Sequence, residues 1–88
     1  MARYELKFKP SVTKDLRGLP AIDIRRILER IEALRDDPRP VGCTKLTAQD
    51  QYRVRQGPYR ILYSIMDQEL VIEVVKVGHR RDIYRNYR

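Results

Sequence analysis

A chain of 88 residues, 42% apolar and 35% charged, holds enough hydrophobic material for one modest core and too little for two. Its net charge of +7 points to an anionic partner, and its short apolar runs exclude a membrane-spanning helix, which needs roughly 20 residues. One histidine and one cysteine exclude an internal disulfide and a cluster of soft metal ligands.

Residues 1–88 are therefore expected to form a single domain that takes no cofactor and no metal. Met1-Ala2-Arg3-Tyr4 leads directly into alternating residues rather than an apolar leader, so the chain is expected to stay in the cytoplasm, away from membranes. The lone Cys43 fits a reducing compartment and reads as a small loop residue, since no activating base stands beside it.

Residues 3–8 alternate with period 2, placing Tyr4, Leu6 and Phe8 on one face of a first strand. Pro10 and Ser11 bring helix-start chemistry, and Val12, Leu16 and Leu19 share the face of a short helix that Gly18 is placed to end. Pro20 opens a second helix expected to run to about Arg35, with Ile24, Ile27, Leu28, Ile31 and Leu34 as its apolar stripe. Its other face carries Asp23, Arg25, Arg26, Glu29, Arg30 and Glu32, a mixture of signs typical of a solvated surface. Asp37-Pro38-Arg39-Pro40 ends the helix.

Residues 41–51 show no period and read as a connecting loop. Tyr52-Arg53-Val54-Arg55 alternates, Gln56-Gly57-Pro58 is a turn, and Tyr59 to Met66 is a longer strand, together a hairpin. Asp67-Gln68 turns the chain again, and the nearly all-apolar Leu70 to Val77 is a strand covered on at least one face. The expected architecture is α+β: an N-terminal strand, a two-helix hairpin, then a three-stranded antiparallel meander, giving a four-stranded sheet with the helices on one face. The other face is left open.

Within the meander, period 2 puts Arg53 and Arg55 on the side opposite Tyr52 and Val54. Arg60 follows across the hairpin, and Arg80 and Arg81 emerge where the last strand ends. In residues 76–88 five cations, Lys76, Arg80, Arg81, Arg85 and Arg88, face one anion, Asp82, and Tyr84 and Tyr87 lie between them. Taken singly, each arginine reads as an exposed charge. Aligned by a hairpin and interleaved with aromatic rings, they read as a surface for nucleic-acid phosphates and bases.

At these residues the sequence resembles the RelE family of bacterial and archaeal toxins, within the RelE/ParE superfamily. The resemblance spans essentially the whole chain and rests on Lys45-Leu46, Tyr52-Arg53-Val54-Arg55, Gly57-Pro58-Tyr59-Arg60-Ile61-Leu62-Tyr63 and Val77-Gly78-His79-Arg80-Arg81-Asp82-Ile83-Tyr84-Arg85. It implies a RelE-like fold and a toxin of a type II toxin–antitoxin system. Such a toxin enters the ribosomal A site, cleaves mRNA there, and is silenced by a co-expressed antitoxin. The implied catalytic residues are Arg53, Arg55, Arg60, Arg80 and Tyr84; Lys45, His79, Arg81 and Arg85 are expected to contact RNA.

In the best-known member the two positions matching Arg53 and Arg55 are lysines, one a proposed general base. Arginine is effectively always protonated. Both residues here are therefore expected to stabilise charge while another group accepts the proton of the attacking ribose 2′-hydroxyl, with Tyr84 and His79 the candidates. Two further readings stay open: a ParE-like toxin acting on DNA gyrase, and a non-catalytic RNA-binding module, since phosphate contacts alone imply no chemistry.

Overall fold

The computed structural model describes residues 3–46 and 50–82. Along them run β1 (Glu5–Phe8), α1 (Pro10–Leu16), α2 (Ala21–Ala33), β2 (Thr44–Lys45), β3 (Gln51–Gln56), β4 (Tyr59–Met66) and β5 (Val71–His79). Local chemistry sets the boundaries. Pro10 opens α1, where its missing N–H goes unmissed. Gly18 takes the left-handed φ of +92° that breaks the chain between the helices, and Pro20 caps α2. The β3–β4 loop is Gly57-Pro58; φ of +59° at its first central position fits a type II′ hairpin turn, whose hand matches the strand twist.

The strands form one sheet in the order β1-β5-β4-β3-β2. β1 lies parallel to β5, and the other pairs are antiparallel. Five strands stand where four were expected, because residues 41–51 are not all loop: Thr44 and Lys45 pair with Arg53 and Tyr52 as a two-residue edge strand. So short a strand carries no readable period.

The core lies between the helices and one face of the sheet. Val12 of α1 and Ile27, Ile31 and Leu34 of α2 pack with Tyr52, Val54, Tyr59, Ile61, Tyr63, Ile65, Ile72, Val74 and Val77. Burying each large aliphatic side chain is worth about 1.5–3 kcal/mol. Two residues depart from the sequence pattern. Leu28 of the expected α2 stripe is 41% exposed and Phe8 of the β1 stripe 43%. Leu28 sits at the margin of the helical stripe, and Phe8 is at the last residue of the edge strand β1, so the core does not close over either.

A β-bulge interrupts the β4–β5 ladder: Tyr63 pairs with Val74 while Leu62 pairs with Lys76, leaving Val75 as an extra residue. Before the bulge Ile72 and Val74 face the helices, and after it Val77 does. Beyond the end of β1 the outer edge of β5 is taken over by α1, whose Asp15 Oδ2 accepts the Val77 N–H at 3.0 Å.

Several polar groups that lie against the core are paired, while the buried Gln51 Oε1 has no hydrogen-bond partner among the described residues. The Tyr63 hydroxyl donates to Pro38 O at 2.7 Å, fixing the loop after α2, and burial pushes its pKa up. Asp67, in the β4–β5 turn, accepts from Arg39 Nη2 at 2.8 Å and from the Tyr4 hydroxyl at 2.7 Å. Arg39 also lies over the Tyr52 ring, 5.1 Å from its centroid, and donates to the Tyr52 hydroxyl at 3.2 Å. The Arg39 and Tyr4 hydrogen bonds hold the Asp67 carboxyl below its ordinary pKa.

A carboxylate with a lowered folded-state pKa stabilises the fold above its unfolded-state pKa, and that contribution fades as pH falls through the folded value. Asp67→Asn is accordingly expected to melt below the parent protein at pH 7. The gap should close as pH is lowered past the ordinary carboxylate value of 3.8; thermal melts of both proteins across that range check it.

Candidate functional site

Since Tyr52 and Val54, Ile61 and Tyr63, and Val74 and Val77 face the helices, their strand neighbours occupy the opposite face, open in the sense that neither described helix covers it. The register arranges that face in rows. Arg55 lies directly across from Arg60, which lies across from Gly78. The next row is Arg53, Leu62 and Lys76, and the one after is Gln51, Ser64 and Glu73. Rows are two residues apart, roughly 6.8 Å along the strands.

The first row is the most polarised feature of the face. Like charges placed directly opposite on paired strands repel, and Arg55 and Arg60 are such a pair. Gly78 beside them carries no side chain, so an anion approaching the two guanidinium forks meets no bulk on β5. Arg53 Nη2 donates to Thr44 Oγ1 of β2 at 3.4 Å. Behind the sheet, Arg30 of α2 reaches the edge of β3 and donates from Nε to Arg55 O at 3.3 Å, tying the hairpin to the helix layer.

Arg80 follows β5 directly. Its N–H bonds to Pro58 O at 2.8 Å, extending the ladder to the Gly57-Pro58 turn and keeping this exposed arginine beside the row of Arg55 and Arg60. Arg81 is exposed as well.

Two expected RNA contacts fall on the other side. His79 pairs with Tyr59, and its ring meets the Tyr59 ring edge-on at 6.1 Å on the helix side of the sheet. Its Nδ1 accepts the Arg81 N–H at 3.1 Å, so the neutral ring carries its proton on Nε2. Lys45 pairs with Tyr52, which also points toward the helices, and so sits at the sheet edge away from the arginine rows. Parity explains both, because one step along a strand reverses the face. Tyr84 and Arg85 lie outside the described residues.

Leu62 was not singled out from the sequence, yet it is fully buried while lying opposite the helix-side core. It lies between Arg53 and Lys76 in the second row. Its place was available in principle, since period 2 from Arg60 leads to it. On the helix side a cavity of about 60 Å³ is lined by Asp23, Arg26, Gln56, Gly57, Pro58 and Tyr59. The Tyr59 hydroxyl donates to Asp23 Oδ2 at 2.8 Å, which raises the phenol pKa. That volume is too small for a nucleotide. The described residues contain no group of three or more His, Cys, Asp or Glu placed to hold a metal ion, and no helix long and apolar enough to cross a membrane.

A family model described as ParE toxin of the type II toxin-antitoxin system parDE matches residues 6–84. The chain is 30% identical over 88 residues to a putative toxin RelE1 of Methanocaldococcus jannaschii, covering 96% of this chain and 98% of that protein. It is 31% identical over 84 residues to toxin RelG of Mycobacterium tuberculosis, covering 93% and 97%. Its fold matches a chain of the archaeal RelE-RelB complex of Pyrococcus horikoshii with a TM-score of 0.81 and 34% identity, over 89% of this chain and 96% of that one. A chain of the toxin-antitoxin complex RelBE2 of Mycobacterium tuberculosis matches with a TM-score of 0.80 and 27% identity, over 93% and 97%.

The facing arginines make a test of the site that needs no substrate. Arg55→Thr removes the repulsion and places a good strand former on an exposed position. It is expected to leave the fold intact and raise stability by about 0.2–1 kcal/mol. The gain should be larger at low salt than at high salt, as read from denaturant titrations at both ionic strengths.

Proposed function

Because this chain belongs to the RelE/ParE superfamily of type II toxin–antitoxin toxins, we propose that it is an endoribonuclease that cleaves mRNA in the ribosomal A site and so halts translation in the cytoplasm. The observation that carries this reading is the row Arg55–Arg60–Gly78, two guanidinium groups across one hairpin beside a position without a side chain. Arginine binds a phosphate through two parallel N–H donors. Two such forks on neighbouring strands suit a reaction whose negative charge grows on phosphorus-bound oxygens.

In that reaction the ribose 2′-oxygen attacks the adjacent phosphorus and the bond to the 5′-oxygen breaks, leaving a 2′,3′-cyclic phosphate and a 5′-hydroxyl. No metal is required. Arg55, Arg60, Arg53 and Arg80 stabilise the pentacoordinate phosphate, a role for preorganised donors. None of them takes the 2′-hydroxyl proton, since a guanidinium does not deprotonate in this range. His79, on the helix side of the sheet, is not placed for it either. Tyr84 remains the candidate base, and Arg81 and Arg85 candidate RNA contacts. With a weak base, the alignment of the 2′-oxygen with the scissile bond must come from elsewhere, and the ribosome supplies it by holding the mRNA.

Solved relatives include toxin–antitoxin complexes, among them the RelE-RelB complex of Pyrococcus horikoshii, and the corresponding partner here is a cognate antitoxin. It would cover part of the +7 surface. A gyrase-directed activity is less favoured. The matching family model bears the ParE name, but the two curated relatives described above bear RelE and RelG names, and the open face concentrates arginine where a phosphate would sit.

The purified protein is expected to cut translated mRNA and to spare the same RNA when naked. Mapping 5′ ends in a translating extract, with a gyrase supercoiling assay in parallel, checks this. Equal cleavage of both RNAs rejects the ribosome's role, and inhibited supercoiling with intact mRNA rejects the ribonuclease. Binding to programmed ribosomes without any cut would leave an RNA-binding module.

Arg60→Ala or Arg80→Ala should each slow single-turnover cleavage on programmed ribosomes by about 10²–10³-fold, the usual loss on removing one preorganised donor. Circular dichroism should show both variants folded. Lysine at either position should recover only part of the rate, because the ammonium lacks the bidentate fork.

A further inference from the structure

We propose that Lys76 is a phosphate-binding residue of the open face, holding the RNA phosphate next to the one gripped by the Arg55–Arg60 row, with Asp15 as its positioning residue. The inference rests on the reading of that face as an RNA site and adds a contact and a strand register to it.

The bulge is the first observation. In an unbroken β5 the side chains of Ile72, Val74 and residue 76 would share one face, and Ile72 and Val74 point into the helix-side core. A lysine in that sequence position would drive its ammonium into apolar surroundings. The extra residue at Val75 reverses the parity, so Lys76 lies across from Leu62 on the open face and Val77 returns to the core, 2% exposed. Bulges that re-aim one side chain are enriched beside active sites.

The second observation is the tether. Asp15 uses one carboxylate oxygen for the Val77 N–H at 3.0 Å and the other for Lys76 Nζ at 3.5 Å. The Asp15 and Lys76 side chains are 16% and 26% exposed. The carboxylate thus fixes the backbone just past the bulge and holds the ammonium at the rim of the sheet. An ammonium has three donors, so one can stay with Asp15 while another meets a phosphate.

Spacing is the third. Lys76 belongs to the row of Arg53 and Leu62, one row from Arg55, Arg60 and Gly78. The rows lie roughly 6.8 Å apart, a step on the order of that between successive phosphates of an extended single strand. A chain of RNA laid along β4 would then place consecutive phosphates on consecutive rows.

The test is the salt dependence of binding to a short single-stranded RNA, followed by fluorescence anisotropy on the purified protein. Each phosphate contact to a single strand contributes about 0.7 to the slope of log K against log salt. Lys76→Met should lower the slope by about that amount, Lys76→Arg should restore it, and Arg25→Met on the solvated face of α2 should leave it unchanged. Asp15→Asn keeps an acceptor for the Val77 N–H but discharges the tether; it should weaken binding by a smaller factor than Lys76→Met with little change of slope. An unaltered slope in a folded Lys76→Met overturns the proposal. Because the measurement involves no cleavage, a protein that binds with the expected slope but never cuts mRNA would count against the ribonuclease reading and leave the Lys76 contact standing.

Discussion

One face of the sheet has to be covered, and that requirement orders everything else. Val54, Ile61, Tyr63, Ile72 and Val74 find cover only under Ile27, Ile31, Leu34 and Val12, and a strand alternates its faces residue by residue. Once the helices claim one set of side chains, the intervening set is committed to the other side. Arg53, Arg55 and Arg60 are on the open face because Tyr52, Val54 and Ile61 are in the core. The basic rows are the remainder of the packing, carried on the same strands as the core.

Ion pairs are distributed unevenly over the two sides of the sheet. On the helix side and around the turns, arginines meet carboxylates: Arg3 with Asp36 and Glu32, Arg35 with Glu32, Arg39 with Asp67. These exposed pairs are individually worth little, but together they tie the N-terminal strand, the end of α2 and the β4–β5 turn to one another. On the open face no carboxylate is the cross-strand partner of Arg53, Arg55 or Arg60; the partners are threonine, leucine, glycine or another arginine. The rows thus set arginines beside one another, and the Lys76–Asp15 pair brings a carboxylate to their rim.

Support for the basic rows comes from behind and from the edges. Arg30 holds the carbonyl of Arg55, Asp23 holds the hydroxyl of Tyr59, the Arg80 N–H is bonded to Pro58, and Asp15 takes the Val77 N–H where β1 has ended. Each bond is modest, on the order of 1 kcal/mol. Their common effect is positional, since donors that do not need to reorganise are the ones that stabilise a developing charge.

The element order, the two helices, the β3–β4 hairpin and the identity of the basic strand residues were legible in the sequence, because amphipathic periods of 2 and 3.6 and the punctuation by Gly18, Pro20, Pro38, Gly57 and Pro58 are local properties of the chain. The family resemblance was legible too, in the run from Tyr52 to Tyr63 and in the residues following Val77. Only the tertiary structure decided which face each candidate occupies. Lys45 and His79 are as basic or titratable in the sequence as Arg55, but pairing with Tyr52 and Tyr59 turns them toward the helices. The two-residue strand β2, too short to carry a period, exists only because β3 offers an edge. The bulge at Val75 is a matter of register between two strands, and no single strand records its register. Parity is inherited from a partner, so residue type is written in the sequence while the direction in which a residue points is settled by what packs beneath it.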